Sequence, residues 1–184
     1  MLEAILIAWW FFLPAGLANA IPVLAAKLPG LKSWDYPIDG FSHFRGHRVL
    51  GDHKTVRGLF SGVVVAILAL FLQAWAVGQS EFLGDISVID YENTNLWLLG
   101  LAFAVGALGG DALKSFFKRQ FNIKPGKGWF PFDQLDYIIG GIALSLLVVQ
   151  VEFGIYAWVF LVWFIIHPLA TWLAYLAGLK KSPI

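Results

Sequence analysis

The sequence predicts an all-α integral membrane protein of about five transmembrane helices, and three observations carry that reading. The chain of 184 residues is 59% hydrophobic and only 14% charged, with a mean hydropathy of +0.72. A soluble domain is nearer half apolar and a quarter charged. Its apolar residues gather into long runs, and its basic residues fall on alternate connections between those runs. Ordinary globular and disordered classes are excluded by composition. The absence of cysteine excludes a disulfide framework, a thiolate zinc site and a cysteine nucleophile.

The first apolar run, Leu2–Ala26, is long enough to cross a hydrocarbon layer of roughly 30 Å at about 1.5 Å per residue. Pro14, Asn19 and Pro22 interrupt it. Ala18-Asn19-Ala20 fits a small-x-small cleavage site, but Glu3 and the lack of an N-terminal basic residue favour a retained helix. The second and third runs, Gly58–Gly78 and Leu96–Leu113, are regular spans. The fourth, Tyr137–Val151, is short, and reaches a spanning length if its helix begins near Asp133. A tight turn at Glu152–Gly154 then leads into the fifth, Ile155–Gly178; the competing arrangement buries Glu152 in the membrane, which is costly. No internal repeat supports an inverted-repeat transporter.

Orientation follows from counting charges by side. The 13 basic residues lie after run one (Lys27, Lys32, Arg45, Arg48, Lys54, Arg57), after run three (Lys114, Lys118, Arg119, Lys124, Lys127) and at the C-terminus (Lys180, Lys181). The other connections carry Glu3, Glu81, Asp85, Asp90, Glu92 and Glu152 and no Lys or Arg. The positive-inside rule places the N-terminus outside and the C-terminus in the cytoplasm. The net charge of +1 therefore hides a basic cytoplasmic face and an acidic outer one.

Two long cytoplasmic loops hold the candidate chemistry. In the first, Gly40, Gly46, Gly51 and Gly58 alternate with Asp39, Arg45, His47, Arg48, Asp52, His53, Lys54, Thr55 and Arg57. Glycine admits close backbone approach, and exposed N–H groups with Lys and Arg suit phosphates. A basic loop touching anionic headgroups would account for the Lys and Arg, though not for the interleaved Asp and Gly. In the second, Asp111, Lys114, Ser115 and Lys118 share one helical face, behind Gly109 and Gly110. Asp111 needs a partner or a cation at the membrane edge, and an Asp111–Lys114 salt bridge is the simpler alternative. Asp133 and Asp136 are spaced i, i+3 behind Pro131, which suits a helix start. Magnesium is held by one or two carboxylates plus substrate phosphates, so this acid pair facing basic residues suits a magnesium nucleotide. No His-x-x-x-His pattern offers a transition-metal site, and His167 beside Pro168 reads as a packed residue at a helix kink. The combined surface suits phosphoryl or nucleotidyl transfer to a substrate dissolved in the bilayer.

The run Gly109-Gly110-Asp111, Lys114-Ser115-Phe116-Phe117-Lys118-Arg119, Lys124, Pro131 and Asp133-Gln134-Leu135-Asp136 resembles the integral-membrane CTP-dependent cytidylyltransferases that make CDP-diacylglycerol. Asn19 and Pro22, with Asp39-Gly40, Phe44-Arg45-Gly46 and the run from Leu50 to Gly58, resemble their short archaeal branch, the CDP-archaeol synthases. The resemblance spans essentially the whole chain, read as a single membrane-embedded cytidylyltransferase domain over 1–184. It implies that CTP and 2,3-bis-geranylgeranyl-glycerol 1-phosphate give CDP-archaeol and pyrophosphate, with Mg²⁺. It implies metal binding by Asp133 and Asp136, with Asp111 a further candidate, and a catalytic role for Asp133, Asp136 and Lys118. Lys114, Ser115, Arg119, Lys124 and Lys127 fall in the nucleotide-phosphate region. The chain departs from the bacterial signature at Pro125, where an Asp commonly follows the Lys, and in lacking a His-Gly-Gly element before the acid pair. Asp39, Asp52, Lys54 and Arg57 are expected to take over part of the nucleotide contacts. The partners implied are CTP, a lipid phosphate and the membrane, with no nucleic acid, and the active site on the cytoplasmic side.

Two rivals remain. CDP-alcohol phosphotransferases share part of the Asp39-Gly40, Arg45, Gly51-Asp52 pattern, but need two further acids that are missing between Asp52 and Glu81. A small transporter would place ionisable residues at mid-membrane, whereas here nearly all lie at the cytoplasmic edge.

Overall fold

Every long apolar run becomes a helix in the computed structural model, which describes residues 1–124 and 127–179. In chain order the elements are α1 (Leu2–Ala25), β1 (His43–Phe44), β2 (His47–Arg48), α2 (Val56–Val77), α3 (Glu81–Asp85), α4 (Leu96–Gln120), α5 (Phe132–Ser145) and α6 (Phe153–Leu176). Among the described residues, α1, α2, α4 and α6 are long and apolar enough to cross a membrane. Pro125, Lys180 and Lys181, which entered the sequence reading, lie outside the described residues.

Capping follows local chemistry. Thr55 accepts from Gly58 N–H at the start of α2, and Asn95 accepts from Leu98 N–H at the start of α4. Pro14 cannot donate to the Trp10 carbonyl one turn back, and the gap is filled from another helix. Gln73 of α2, only 2% exposed, donates Nε2 to Trp10 O at 2.7 Å.

The helices close on an aromatic core. Phe11, Phe12, Phe103, Tyr137, Tyr156 and Trp163 are buried together, with Phe12 edge-on to both Phe103 and Trp163. Tyr137 Oη donates to Trp163 O at 3.0 Å, and Trp163 Nε1 to Ala8 O at 3.2 Å, so the polar tips are satisfied. Gly16 leaves room for the Trp163 ring, because a Cβ there would stand 2.0 Å from it. The outward faces of α2 and α6 carry exposed Leu68, Leu72, Trp75, Leu161, Ile165 and Leu173, as lipid contact requires.

The α4–α5 contact positions the site. A Cβ on Gly106 would lie 2.3 Å from Gly140 O, and one on Gly110 would lie 2.1 Å from Asp136 O. Main chain therefore touches main chain in an antiparallel register, the device that small residues provide between membrane helices.

Helix α4 runs to Gln120, past the end of the apolar run at Leu113, so Lys114, Ser115 and Lys118 are helical, as their shared face with Asp111 predicts. Two boundaries differ from the sequence reading. Helix α5 does begin beside Asp133 but has 14 residues and stops at Ser145. There Ser145 O accepts from both Val148 and Val149 N–H, and the β-branched Val148, Val149 and Val151 favour extended backbone. The connection to α6 is accordingly Leu146–Val151, with Glu152 as the helix cap, not a turn at Glu152–Gly154.

Candidate active site

The loop between α1 and α2 is a folded unit. Arg45 (φ 50°) and Gly46 (φ 81°) form the turn between β1 and β2, positive at both positions as a tight hairpin requires. Asp39 is the loop's organiser. Its side chain is 1% exposed and pairs with Arg48 at 2.9 Å. It accepts from Leu50 N–H at 2.9 Å, Gly51 N–H at 3.2 Å and Phe41 N–H at 3.2 Å. Burial pushes the Asp39 carboxyl up, but the Arg48 guanidinium and these backbone donors outweigh it and hold the pKa down at about 2. Arg48 also pairs with Asp52 at 2.8 Å. The loop's ends are tied by Ile38 N–H to Lys54 O at 2.7 Å and Val56 N–H to Tyr36 O at 2.9 Å. That clasp aims Lys54 at Asp111 of α4, with which it is ion-paired.

Around Asp111 the charges converge. Lys114 Nζ lies 3.0 Å from Asp111, 2.8 Å from Asp133 and 2.7 Å from Asp136. Lys118, 7% exposed, reaches Asp133 at 3.1 Å and donates to Lys127 O. Trp129 N–H also donates to Asp133. Lys54, Lys114 and Lys118 thus balance Asp111, Asp133 and Asp136 within one network. The predicted Asp111–Lys114 salt bridge is present, as one edge of it.

Two cavities open on this network. One of about 190 Å³ is lined by Leu50–Lys54 of the loop and by Asp111, Lys114, Ser115, Lys118 and Arg119. The other, of about 980 Å³, shares Lys54, Asp111, Lys114 and Lys118, and adds Asp133 and Asp136. It extends along Pro22, Val23 and Leu108 of the membrane helices. A polyanion and an amphiphile can therefore reach the same charged groups.

The remaining candidates have distinct positions. Arg57 is 7% exposed and its Nη1 donates to Leu31 O and Lys32 O, both at 3.0 Å, so it fastens the loop while lining the large cavity. Asp39 lines neither cavity, and its role is to order Leu50 and Gly51, which line the small one. Asp52 lines both cavities. Ser115 Oγ donates to Asp111 O at 2.8 Å and faces the small cavity. Arg119 holds Ile123 O at 2.6 Å. Lys127 lines the large cavity, whereas Lys124 is exposed and lines neither. Gln134, His167 and Thr171 also line the large cavity, and the sequence reading gave none of them a site role. His167 resembles a kink residue in sequence because only the fold brings α6 against α5, where its ring lies 5.5 Å from Tyr137.

The carboxylates fit a substrate-completed metal site. Among the described residues no three ligand-type side chains form a ready-made cage. Asp136 Oδ2, however, is buried and meets Lys114 Nζ at 2.7 Å, and a carboxylate oxygen keeps acceptor capacity beyond one such contact. Hard oxygens with unused acceptor capacity, supplied by only a few side chains, match the way Mg²⁺ is held together with substrate phosphates.

The chain matches known proteins over its whole length. The family described as CarS-like, CDP-archaeol synthase, matches residues 1–184. The CDP-archaeol synthase of Methanosarcina barkeri is 36% identical over 180 residues, covering 93% of this chain and 99% of that one. That of Thermococcus onnurineus is 34% identical over 183 residues, covering 99% and 98%. A solved structure of an intramembrane enzyme for archaeal membrane lipid biosynthesis superposes with a TM-score of 0.70 at 32% identity, over 89% of this chain and 91% of that one.

Proposed function

The chain belongs to the CDP-archaeol synthase family, and we propose that the lysine–aspartate network at the α4–α5 contact is where its reaction takes place. The enzyme is a CTP-dependent cytidylyltransferase. It transfers CMP from CTP to the phosphate of 2,3-bis-geranylgeranyl-glycerol 1-phosphate, releasing pyrophosphate and leaving CDP-archaeol. Family membership thereby separates it from the CDP-alcohol phosphotransferases and from transporters.

The observation that carries the site is the meeting of Asp111, Asp133 and Asp136 on Lys114 where both cavities open. Lys54, Lys114, Lys118 and Arg119 would hold the triphosphate, with Asp52 and the Gly51 backbone beside it. Asp133 and Asp136, with Asp111, would hold Mg²⁺, which supplies charge neutralisation on the phosphates. The lipid phosphate is already anionic near neutral pH, so its oxygen attacks the α-phosphorus without a general base. The bond from the α-phosphorus to the bridging oxygen breaks, and its electron pair leaves on pyrophosphate, beside Lys118 and Arg119.

The whole of 1–184 is read as one membrane unit with five crossings, N-terminus outside and the site in the cytoplasm. The distribution of Lys and Arg supports this orientation. The crossing added to the four long helices is α5, fourth in chain order, about 21 Å of helix at 1.5 Å per residue, continued by the segment Leu146–Val151. Because the sequence lacks cysteine, single cysteines at Lys32 and Glu152 can be labelled with an impermeant maleimide in intact and opened vesicles. Labelling of both from the same side overturns the topology.

Asp133→Asn and Asp136→Asn in purified protein, with radiolabelled CTP, Mg²⁺ and the lipid phosphate, test the site. Turnover into the organic phase should fall at least about a hundredfold, the scale of losing one charge-stabilising group. Near-normal incorporation by both variants removes the assignment.

A further inference from the structure

Lys114 stands where a cation shared by the carboxylates would stand. Its Nζ lies 3.0 Å from Asp111, 2.8 Å from Asp133 and 2.7 Å from Asp136. Three acids at these distances enclose one positive charge, so a metal ion on the same oxygens competes with the ammonium for its place. Lys114 is also the lysine of the network with least to hold it. Lys118 is tied to Lys127 O as well as to Asp133, and Lys54 belongs to the clasped loop between α1 and α2. Among the described residues, Lys114 Nζ meets only the three carboxylates. Its side chain borders both cavities on a flexible stem, so it can turn toward either.

We propose, on the reading of this network as the nucleotide site, that Lys114 is an exchangeable counter-ion. It holds the metal position until a divalent cation and a nucleoside triphosphate arrive together, then turns onto the triphosphate. The charges couple the two ligands. A divalent cation alone has to displace Lys114 and leave its ammonium unpaired beside the metal. A triphosphate alone has to draw Lys114 away, which strips Asp133 and Asp136 next to the incoming anion. Uncompensated charge in so enclosed a place is expensive. With both ligands present the metal neutralises the carboxylates and the lysine neutralises phosphate, so each removes the cost that the other meets alone. The lysine thereby makes the empty site discriminate against free nucleotide and against stray divalent ions.

Binding of Mn²⁺, followed by electron paramagnetic resonance in the purified protein, tests the exchange without turnover. In the unaltered protein CTP should tighten Mn²⁺ binding at least about tenfold, within the usual range of coupling between ligands, after correction for Mn²⁺ held by CTP in solution. Lys114→Met should bind Mn²⁺ without nucleotide at least about tenfold more tightly than the unaltered protein, and the further tightening by CTP should shrink. Lys114→Gln, uncharged but able to donate to the carboxylates, should show the same gain and serves where the methionine variant fails to fold. Lys118→Met removes the same charge from beside Asp133 but not from the metal position, and should gain clearly less. A lysine that only holds phosphate would weaken CTP binding on removal and leave the affinity for metal alone unchanged. That result, or equal gains in Lys114→Met and Lys118→Met, overturns the exchange and leaves the site reading in place. Adding Asp136→Asn to Lys114→Met should abolish the gain; Mn²⁺ that stays tightly bound there lies elsewhere, and the site reading then falls together with the proposal.

Discussion

Lys114 Nζ stands 2.7 Å from Asp136 Oδ2, across the line where α4 and α5 touch through Gly110 and the Asp136 carbonyl. The glycine and the ion pair are parts of one arrangement. Without a side chain at Gly110 the helices come close enough for a lysine on one to reach aspartates on the other.

Removing that lysine leaves three carboxylates sharing a half-buried space. Lys114→Met should destabilise the protein by about 3–5 kcal/mol, the cost of leaving buried charge uncompensated. A divalent cation can replace the missing charge. The melting temperature of the variant should therefore rise with Mg²⁺ more than that of the unaltered protein, measured without nucleotide. Equal Mg²⁺ responses would show that these carboxylates do not take the metal in Lys114's place.

The glycine pair before Asp111 supplies a contrast of two neighbours. A Cβ on Gly110 meets Asp136 O at 2.1 Å, while one on Gly109 meets nothing within 4 Å. Gly110→Ala should separate the helices, lower the melting temperature and lose most CTP incorporation, through overpacking of about 1–3 kcal/mol or more. Gly109→Ala should be neutral or gain up to about 1 kcal/mol from helix propensity. Differential scanning fluorimetry in detergent ranks the two; similar effects would contradict the close contact.

Part of this site was legible in the sequence. Asp111, Lys114, Ser115 and Lys118 share a helical face by spacing alone, and the i, i+3 acids after Pro131 read as a helix start, which is where α5 begins. Asp39 was harder, because its partners are backbone N–H groups of Leu50 and Gly51, and no side-chain pattern marks a backbone donor. Arg57 looked like a phosphate ligand since its type is right; only the fold reveals that the carbonyls of Leu31 and Lys32 occupy its guanidinium. The end of α5 was missed because an apolar run measures hydrophobicity, while β-branched Val148 and Val149 decide backbone shape. Gln134 and His167 belong to different helices, and sequence spacing carries no information about which faces meet.

Asp39 gives the loop a defined acid limit. Its folded pKa of about 2 lies below the ordinary carboxylate value of 3.8. Its contribution to stability is therefore complete above about pH 4 and is lost as pH falls through about 2. Hydrogen exchange at Leu50 and Gly51 should stay slow relative to neighbouring exposed amides down to pH 4 and lose its protection toward pH 2. Asp39→Asn should show reduced protection at every pH in that range, with little further loss on acidification. If the unaltered protein loses protection at Leu50 well above pH 4, another group governs the loop.

At the buried middle of α1 a proline is coupled to a glutamine of α2. Pro14 deprives Trp10 O of its helical donor, and Gln73 Nε2 replaces it at 2.7 Å from α2. Gln73→Leu should cost about 1–2 kcal/mol, in the range of interhelical hydrogen bonds in membranes and of unsatisfied buried carbonyls. Pro14→Ala restores a backbone N–H to the same carbonyl, so Gln73→Leu should cost less in that background. A double-mutant cycle on unfolding free energy in mixed micelles reads the difference as a coupling of about 0.5 kcal/mol or more between residues in contact. Strict additivity would mean that Gln73 matters only through its packing. A positive coupling ties the glutamine to the proline, and explains why an apolar span carries a buried amide where leucine would otherwise serve.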